Sequence, residues 1–185
     1  MSNVDVAALL DTNAAERLHI GGLEAKPGWQ ILNAQPGGHV DIVADLRDLS
    51  SLPDQAFDVV YASHTLEHLG YQRELPHALG ALHRILRPGG RLMLSVPDLD
   101  TLCRLYTHEA LSAQDRFHVM RMMFGGQMDE YDYHFVGLNF ESLADFLLAA
   151  GFAQVTRVDE LGVFQDSSTL DFRGVKISLN VVAVK

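Results

Sequence analysis

The chain has 185 residues, 48% of them apolar and 21% charged, with a formal net charge of -10; this suits one soluble globular domain and excludes a disordered chain. Its acidity disfavours nucleic acid as a partner, because phosphate binding needs a basic face, and it is congenial to a small cationic ligand. A single cysteine, Cys103, excludes an internal disulfide and a multi-cysteine zinc centre.

The opening segment, MSNVDVAALLDTNAAERLHI, carries Asp5 and Asp11 and no basic-then-apolar run, so it does not read as a secretion signal. No apolar stretch approaches the ~20 residues of a membrane span. The expectation is a cytoplasmic protein with no membrane span, organised as a single domain over 1–185, with 1–16 as an N-terminal extension. Short β-type runs follow: RLHI (17–20), WQIL (29–32), VDIVA (40–44), FDVVYA (57–62), RLMLSV (91–96), AQVTRV (153–158) and SLNVVAV (178–184). Several are nearly continuously apolar, as strands covered on both faces should be. They predict one sheet at the centre of an α/β layer structure.

Two helices are legible between these strands. From Glu74 to Leu86, Leu75, Ala78, Leu79, Leu82, Ile85 and Leu86 recur at helical spacing, with Pro76 tolerated in the first turn and Pro88-Gly89-Gly90 as a stop. From Ser142 to Ala150, Leu143, Phe146, Leu147 and Ala150 form one stripe, with Asn139 as N-cap and Gly151 just past the end. Segment 99–138 reads as helical in its first half and is interrupted at Gly125-Gly126. Its methionines suit packing into a core or a homodimer contact. The polar residues that follow, Gln127, Asp129, Glu130, Tyr131, Asp132 and His134, read either as a ligand surface or as a loop bonding its own backbone.

The stretch YASHTLEHLG, 61–70, contains H-x-x-E-H in His64, Glu67 and His68, a spacing found in inverted zinc hydrolases. Such a site needs both histidines on one continuous helix. Here the motif follows directly on a strand and precedes a helix that starts after Gly70, so it lies on a loop at a strand's carboxyl end. Open α/β sheets bind ligands there. A third metal ligand would have to be Glu130 or Glu141, and no metal is expected. Structural hydrogen bonding of His64 and His68 inside the loop, and contact with a ligand, both stay open.

FDVVYASHTLEHL followed by ALHRILRPGGRLMLSVPDL resembles the middle of a class I S-adenosylmethionine-dependent methyltransferase. GLNFESLADFLLAAGFAQVTRV and ISLNVVAV resemble that family's final helix and strand pair. HIGGLEAKPGWQILNAQPGGHVDIVADL and VMRMMFGGQMDEYDYHFVGLN are similar to a bacterial methyltransferase-like group with a shortened first glycine loop, some of whose members are encoded near surface-polysaccharide genes. The resemblance spans 17–185. It implies a Rossmann-like, mostly parallel seven-stranded sheet with an antiparallel final strand, and a helical insertion over 99–138 on the substrate side.

S-adenosylmethionine would then be the cofactor, and each of its parts makes a demand. Its carboxylate needs donors in the turn after the first strand, which implies Gly21 and Gly22, with Lys26 adding positive charge. The ribose diol falls to Asn33, where the family's common pattern has an acid. The adenine falls to Asp45, with Leu46 as a wall. Ser63, His64 and Leu66 would meet the methionine part. Only Leu23 to Gly28 separate the first two β-type runs, too few for the usual crossover helix. A hydroxyl acceptor must also lose a proton to a base, and the candidates are His134, whose ordinary pKa suits neutral pH, Asp98 and His64. His68, Gln127, Tyr131 and Asp132 would bind a small-molecule or saccharide acceptor. The expected function is O-methylation of such an acceptor; the alternative is a methyltransferase-fold binding module without catalysis.

Overall fold

The computed structural model describes residues 16–185; the expected N-terminal extension lies, but for Glu16, outside the described residues. Strands β1 (Arg17–Ile20), β2 (Gln30–Asn33), β3 (Ile42–Val43) and β4 (Phe57–Ser63) are followed by helix α1 (Glu74–Ile85) and strand β5 (Leu86–Pro97). Helices α2 (Leu99–Tyr106), α3 (Ala113–Phe124) and α4 (Phe140–Ala149) come next, then β6 (Gln154–Val158), a ribbon of β7 (Asp171–Phe172) and β8 (Val175–Lys176), and β9 (Ser178–Val184). Seven strands make one sheet in the order β3-β2-β1-β4-β5-β9-β6. All neighbours are parallel except β9, which runs antiparallel to β5 and β6. This is the sheet expected, with α2 and α3 inserted after the fifth strand.

Alternation along the strands builds two different cores. Leu18, Ile20, Val60, Ala62, Leu92, Leu94, Val181 and Ala183 face the main core, which α1 covers with Leu75, Leu79 and Leu82 and α4 with Leu143 and Leu147. Val59, Tyr61, Met93 and Val182 face the other way and meet Trp29, Leu161, Val163 and Phe164. Residues 21–29 form turns and no helix, as their small number predicted. Aromatic side chains pack over the sheet instead: Phe164 lies 4.9 Å from Tyr61 and 5.1 Å from Trp29 between ring centres.

The local punctuation follows the residues that signal it. Asn139 and Ser142 form a reciprocal capping box at the start of α4, two residues earlier than the apolar stripe alone suggested. Gly151 beyond its end has φ +105°. In α3, Met122 and Met123 turn inward onto the small core of Leu102, Leu105, Val119 and Ile177. No helix among the described residues is long and apolar enough to cross a membrane.

Candidate functional site

The sheet's strand order reverses between β1 and β4, where open α/β folds leave a crevice beyond the carboxyl ends. Two clefts adjoin there. The first, of about 120 Å³, runs past the ends of β1, β2 and β3 and is lined by Ile20, Leu32, Asn33, Asp45, Leu46, Arg47, His68 and Tyr131 among others. The second, of about 390 Å³, lies over the β1 and β4 ends and is lined by His19, Gly22, Glu24, Ser63, His64, Phe164 and Asp166 among others. Gly21 and Thr65 line both.

Gly21 holds this neck open. Its φ is +74°, and a β-carbon placed on it would stand 2.7 Å from Thr65 Cγ2. A β-carbon on Gly22 would stand 2.7 Å from His19 Nδ1. The turn is therefore made of glycine because side chains on both of its walls leave no room for more.

Asn33 and Asp45, expected at the ribose and the adenine, both line the first cleft, and both are already engaged. Asn33 Nδ2 donates to the Gly22 carbonyl at 3.2 Å, and its Oδ1 accepts from the Gln35 N–H at 3.0 Å. Asp45 accepts from the Arg47 N–H at 2.8 Å and from its guanidinium at 3.1 Å. Arg47, which in turn lies 3.3 Å from Glu74, is a cleft residue the sequence reading missed. Leu46 lines the same cleft.

Other expected residues go elsewhere. Leu66 is fully buried in the main core and reaches neither cleft, because it starts a short 3-10 turn, Leu66–His68, whose apolar side faces inward. Lys26 donates to the Val163 carbonyl and stands 5.0 Å over the Phe164 ring, fastening the loop that covers the aromatic core. The Gly21 N–H donates to the Leu32 carbonyl at 2.8 Å, so it is spent on the sheet. Asp98 is buried, and its carboxylate accepts from Thr101 at 2.9 Å and Arg157 at 3.0 Å; it lines neither cleft. Gln127 and Asp132 bond within their own loop: the Gln127 N–H donates to the Asp132 carbonyl at 3.0 Å, and Asp132 Oδ2 accepts from the Met128 N–H at 3.2 Å. Tyr131 turns back to the first cleft.

The histidine motif is an irregular loop with one 3-10 turn. His64 has φ +51°, a left-handed conformation uncommon outside glycine and found at constrained sites. Its Nε2 lies 3.0 Å from Ser178 Oγ, and its Nδ1 lies 3.4 Å from Glu67 Oε1. Burial, assisted by His134, lowers its pKa to about 4, so its ring is neutral. Glu67 is 1% exposed. Burial pushes its carboxyl up to about 8, opposed by its own backbone N–H. His68 lies beside it, with Nδ1 3.0 Å from the Tyr133 carbonyl and its ring edge-on to His134 at 4.9 Å. His134 reaches this spot because the next residue, Phe135, donates its N–H to the Glu67 carbonyl at 2.7 Å. Burial, then the neighbouring His68, lowers the His134 pKa. Glu67 was not among the expected site residues; its place inside H-x-x-E-H was the available signal.

S-adenosylmethionine can be tested against these walls. The second cleft offers buried polar atoms with no partner in the protein, Thr65 Oγ1 and His19 Nδ1, beside a glycine turn that side chains would fill. The first offers two amide or carboxylate side chains between apolar walls of Ile20, Leu32, Leu46 and Leu69. A ligand with one polar amino-acid end and one flat, partly apolar base suits this pair.

The chain is similar to known proteins in both sequence and fold. Residues 8–94 match the family described as a methyltransferase domain. The chain is 30% identical over 132 residues to a 37.1 kDa protein of transposon TN4556 from Streptomyces fradiae, covering 70% of this chain and 34% of that protein. It thus spans about a third of that relative's length. Its fold is similar to a possible exported protein from Bordetella parapertussis (TM-score 0.60, 14% identity, 97% of this chain and 65% of that one). It is also similar to an S-adenosylmethionine-dependent methyltransferase from Archaeoglobus fulgidus (TM-score 0.58, 18% identity, 94% and 87%). Close to half of the chain, residues 8–94, is thus similar to a methyltransferase-domain family, and its sheet order is that of a fold shared with an S-adenosylmethionine-dependent methyltransferase.

Proposed function

We propose that this domain is a cytoplasmic methyltransferase that binds S-adenosylmethionine across the two clefts and methylates an oxygen of a small or carbohydrate-type acceptor. The observation that carries the reading is the glycine neck at the β1/β4 reversal, flanked by the unpartnered Thr65 Oγ1 and His19 Nδ1. When bound, the cofactor supplies an electrophilic methyl group on a sulfonium. The chain's own tasks are to align the acceptor, exclude water and accept a proton from its hydroxyl.

Asn33 and Asp45 would hold the nucleoside end, Gly22 and Thr65 the amino-acid end. An acceptor entering beside His68, Tyr131 and His134 would meet a neutral imidazole, since burial disfavours the charged form of His134. Its Nδ1 is buried and without a partner, which suits a proton acceptor. The mixed aromatic and polar rim is the kind of surface that holds a sugar. The single exposed cysteine, Cys103, suits a reducing compartment.

A binding module without catalysis is favoured by one set of contacts: the Gly21 N–H and the Asp45 carboxylate already have partners in the protein. Calorimetry with S-adenosylmethionine and S-adenosylhomocysteine separates the two. We expect both to bind, and Asp45→Ala to weaken both at least ten-fold. A ligand at 100 times its dissociation constant adds ~2.7 kcal/mol of stability, so thermal shift gives an independent reading. Binding of neither would leave the module.

A further inference from the structure

We propose that Glu67, His68 and His134 form a binding site for one divalent first-row transition-metal ion on the rim of the first cleft. One ligand atom from each residue lies within 4.8 Å of the other two. The second observation is Glu67 itself. Its side chain is almost wholly buried, yet neither carboxylate oxygen has a hydrogen-bond partner. A proton relieves the cost of burying this carboxyl, and a metal ion that displaced the proton would offset the same cost while giving the oxygens a partner. His64 Nδ1 stays 3.4 Å from Oε1.

The surrounding contacts prepare the imidazoles as ligands. His68 Nδ1 faces the Tyr133 carbonyl at 3.0 Å, which fixes the proton on that nitrogen and leaves the Nε2 lone pair available. A backbone carbonyl behind a ligating histidine is the usual supporting contact in metal sites. On His134, Nδ1 is buried and has no partner in the protein. The Phe135 N–H bond to the Glu67 carbonyl ties the two converging loops together at the site.

Donor chemistry narrows the ion. Two imidazoles and one carboxylate select Zn(II), Fe(II), Co(II) or Mn(II) over Mg(II), which prefers an all-oxygen shell. Bonds of ~2.1 Å at tetrahedral angles put ligand atoms ~3.4 Å apart, so atoms that now lie within 4.8 Å of one another close by up to about an ångström and a half on binding. The partly buried His68 and His134, both on loops, can supply that movement. Three protein ligands leave positions open, as in catalytic sites. If the proposed function holds, an acceptor oxygen would occupy one of them and lose its proton to solvent water more readily; His134 would then serve as a ligand in place of a base. Binding of the ion itself does not depend on that reading.

The test uses the full chain, stripped with a chelator and titrated with Zn(II), Co(II) and Mg(II). We expect one equivalent of Zn(II), a visible Co(II) absorption band typical of mixed nitrogen and oxygen ligation, and no Mg(II) binding at equal concentration. Glu67→Gln and His134→Ala should each weaken Zn(II) at least ten-fold, whereas His77→Ala, on the exposed side of α1, should not. Should Glu67→Gln fail to fold, His134→Ala at its partly buried loop position decides. Less than one equivalent in the unaltered chain, or equal affinity in the folded variants, overturns the site. S-adenosylhomocysteine titrated into the stripped protein tells the two readings apart. Nucleoside binding without Zn(II) binding removes the metal site alone, and Zn(II) binding without nucleoside binding upholds the metal site and removes the methyltransferase reading.

Discussion

Replacing Gly21 by alanine should destabilise the domain through two separable effects. The residue has φ +74°, and an L-residue held in the left-handed region costs roughly 1–2 kcal/mol. The new methyl would also stand 2.7 Å from Thr65 Cγ2, and overpacking of this kind adds roughly 1–3 kcal/mol. Alanine's smaller unfolded-state entropy returns about 0.4–1 kcal/mol. The expected net loss is therefore about 2–4 kcal/mol. Thr65→Ser deletes the opposing methyl and leaves the backbone strain untouched. The double variant should thus be more stable than the sum of the singles by about 1–2 kcal/mol. Urea unfolding followed by circular dichroism, with all four proteins, measures both quantities. A Gly21→Ala protein within ~0.5 kcal/mol of the parent, or a coupling below that value, would refute the claim that the neck is sterically closed to a side chain.

The remaining predictions concern pH and capping. Burial lowers the His19 pKa from 6.5 to about 4, opposed by Asp166 and assisted by Lys26. Because the folded value is depressed, the unfolded chain takes up the proton first as pH falls. The stabilisation is whole above pH 6.5 and drains away toward pH 4. By about pH 5 the loss from this one group is on the order of 2 kcal/mol. His19→Leu should lose that much less between about pH 7.5 and pH 5 in parallel urea titrations; identical losses would mean that His19 is not held neutral. Asn139→Ala removes the side-chain arm of the α4 capping box, leaving the N–H of residue 139 on Ser142 Oγ, and should cost about 1 kcal/mol, whereas an unchanged urea midpoint would show that the Asn139 side chain does not hold the start of α4.

Local periodicity made the framework of this protein legible. The apolar runs reported which strands are covered on both faces. The stripe from Leu75 to Ile85 marked α1, and Asn139 and Gly151 marked the ends of α4, because caps and left-handed turns depend on chemistry within a few residues. The short spacing between β1 and β2 was enough to rule out a helix there. The family resemblance added the strand order and the cofactor. What tertiary structure decided was which polar groups meet. No pattern along the chain says that the N–H of Phe135 pairs with the carbonyl of Glu67, and that pairing is what brings His134 to His68. Nor does any local signal tell that Lys26 is spent on Val163, Asp98 on Arg157, or the Gly21 N–H on Leu32. Such partners lie far apart in sequence, and their choice is set by the packing of loops over a finished sheet, where an apolar pattern fixes the face a residue takes but not the neighbour it finds.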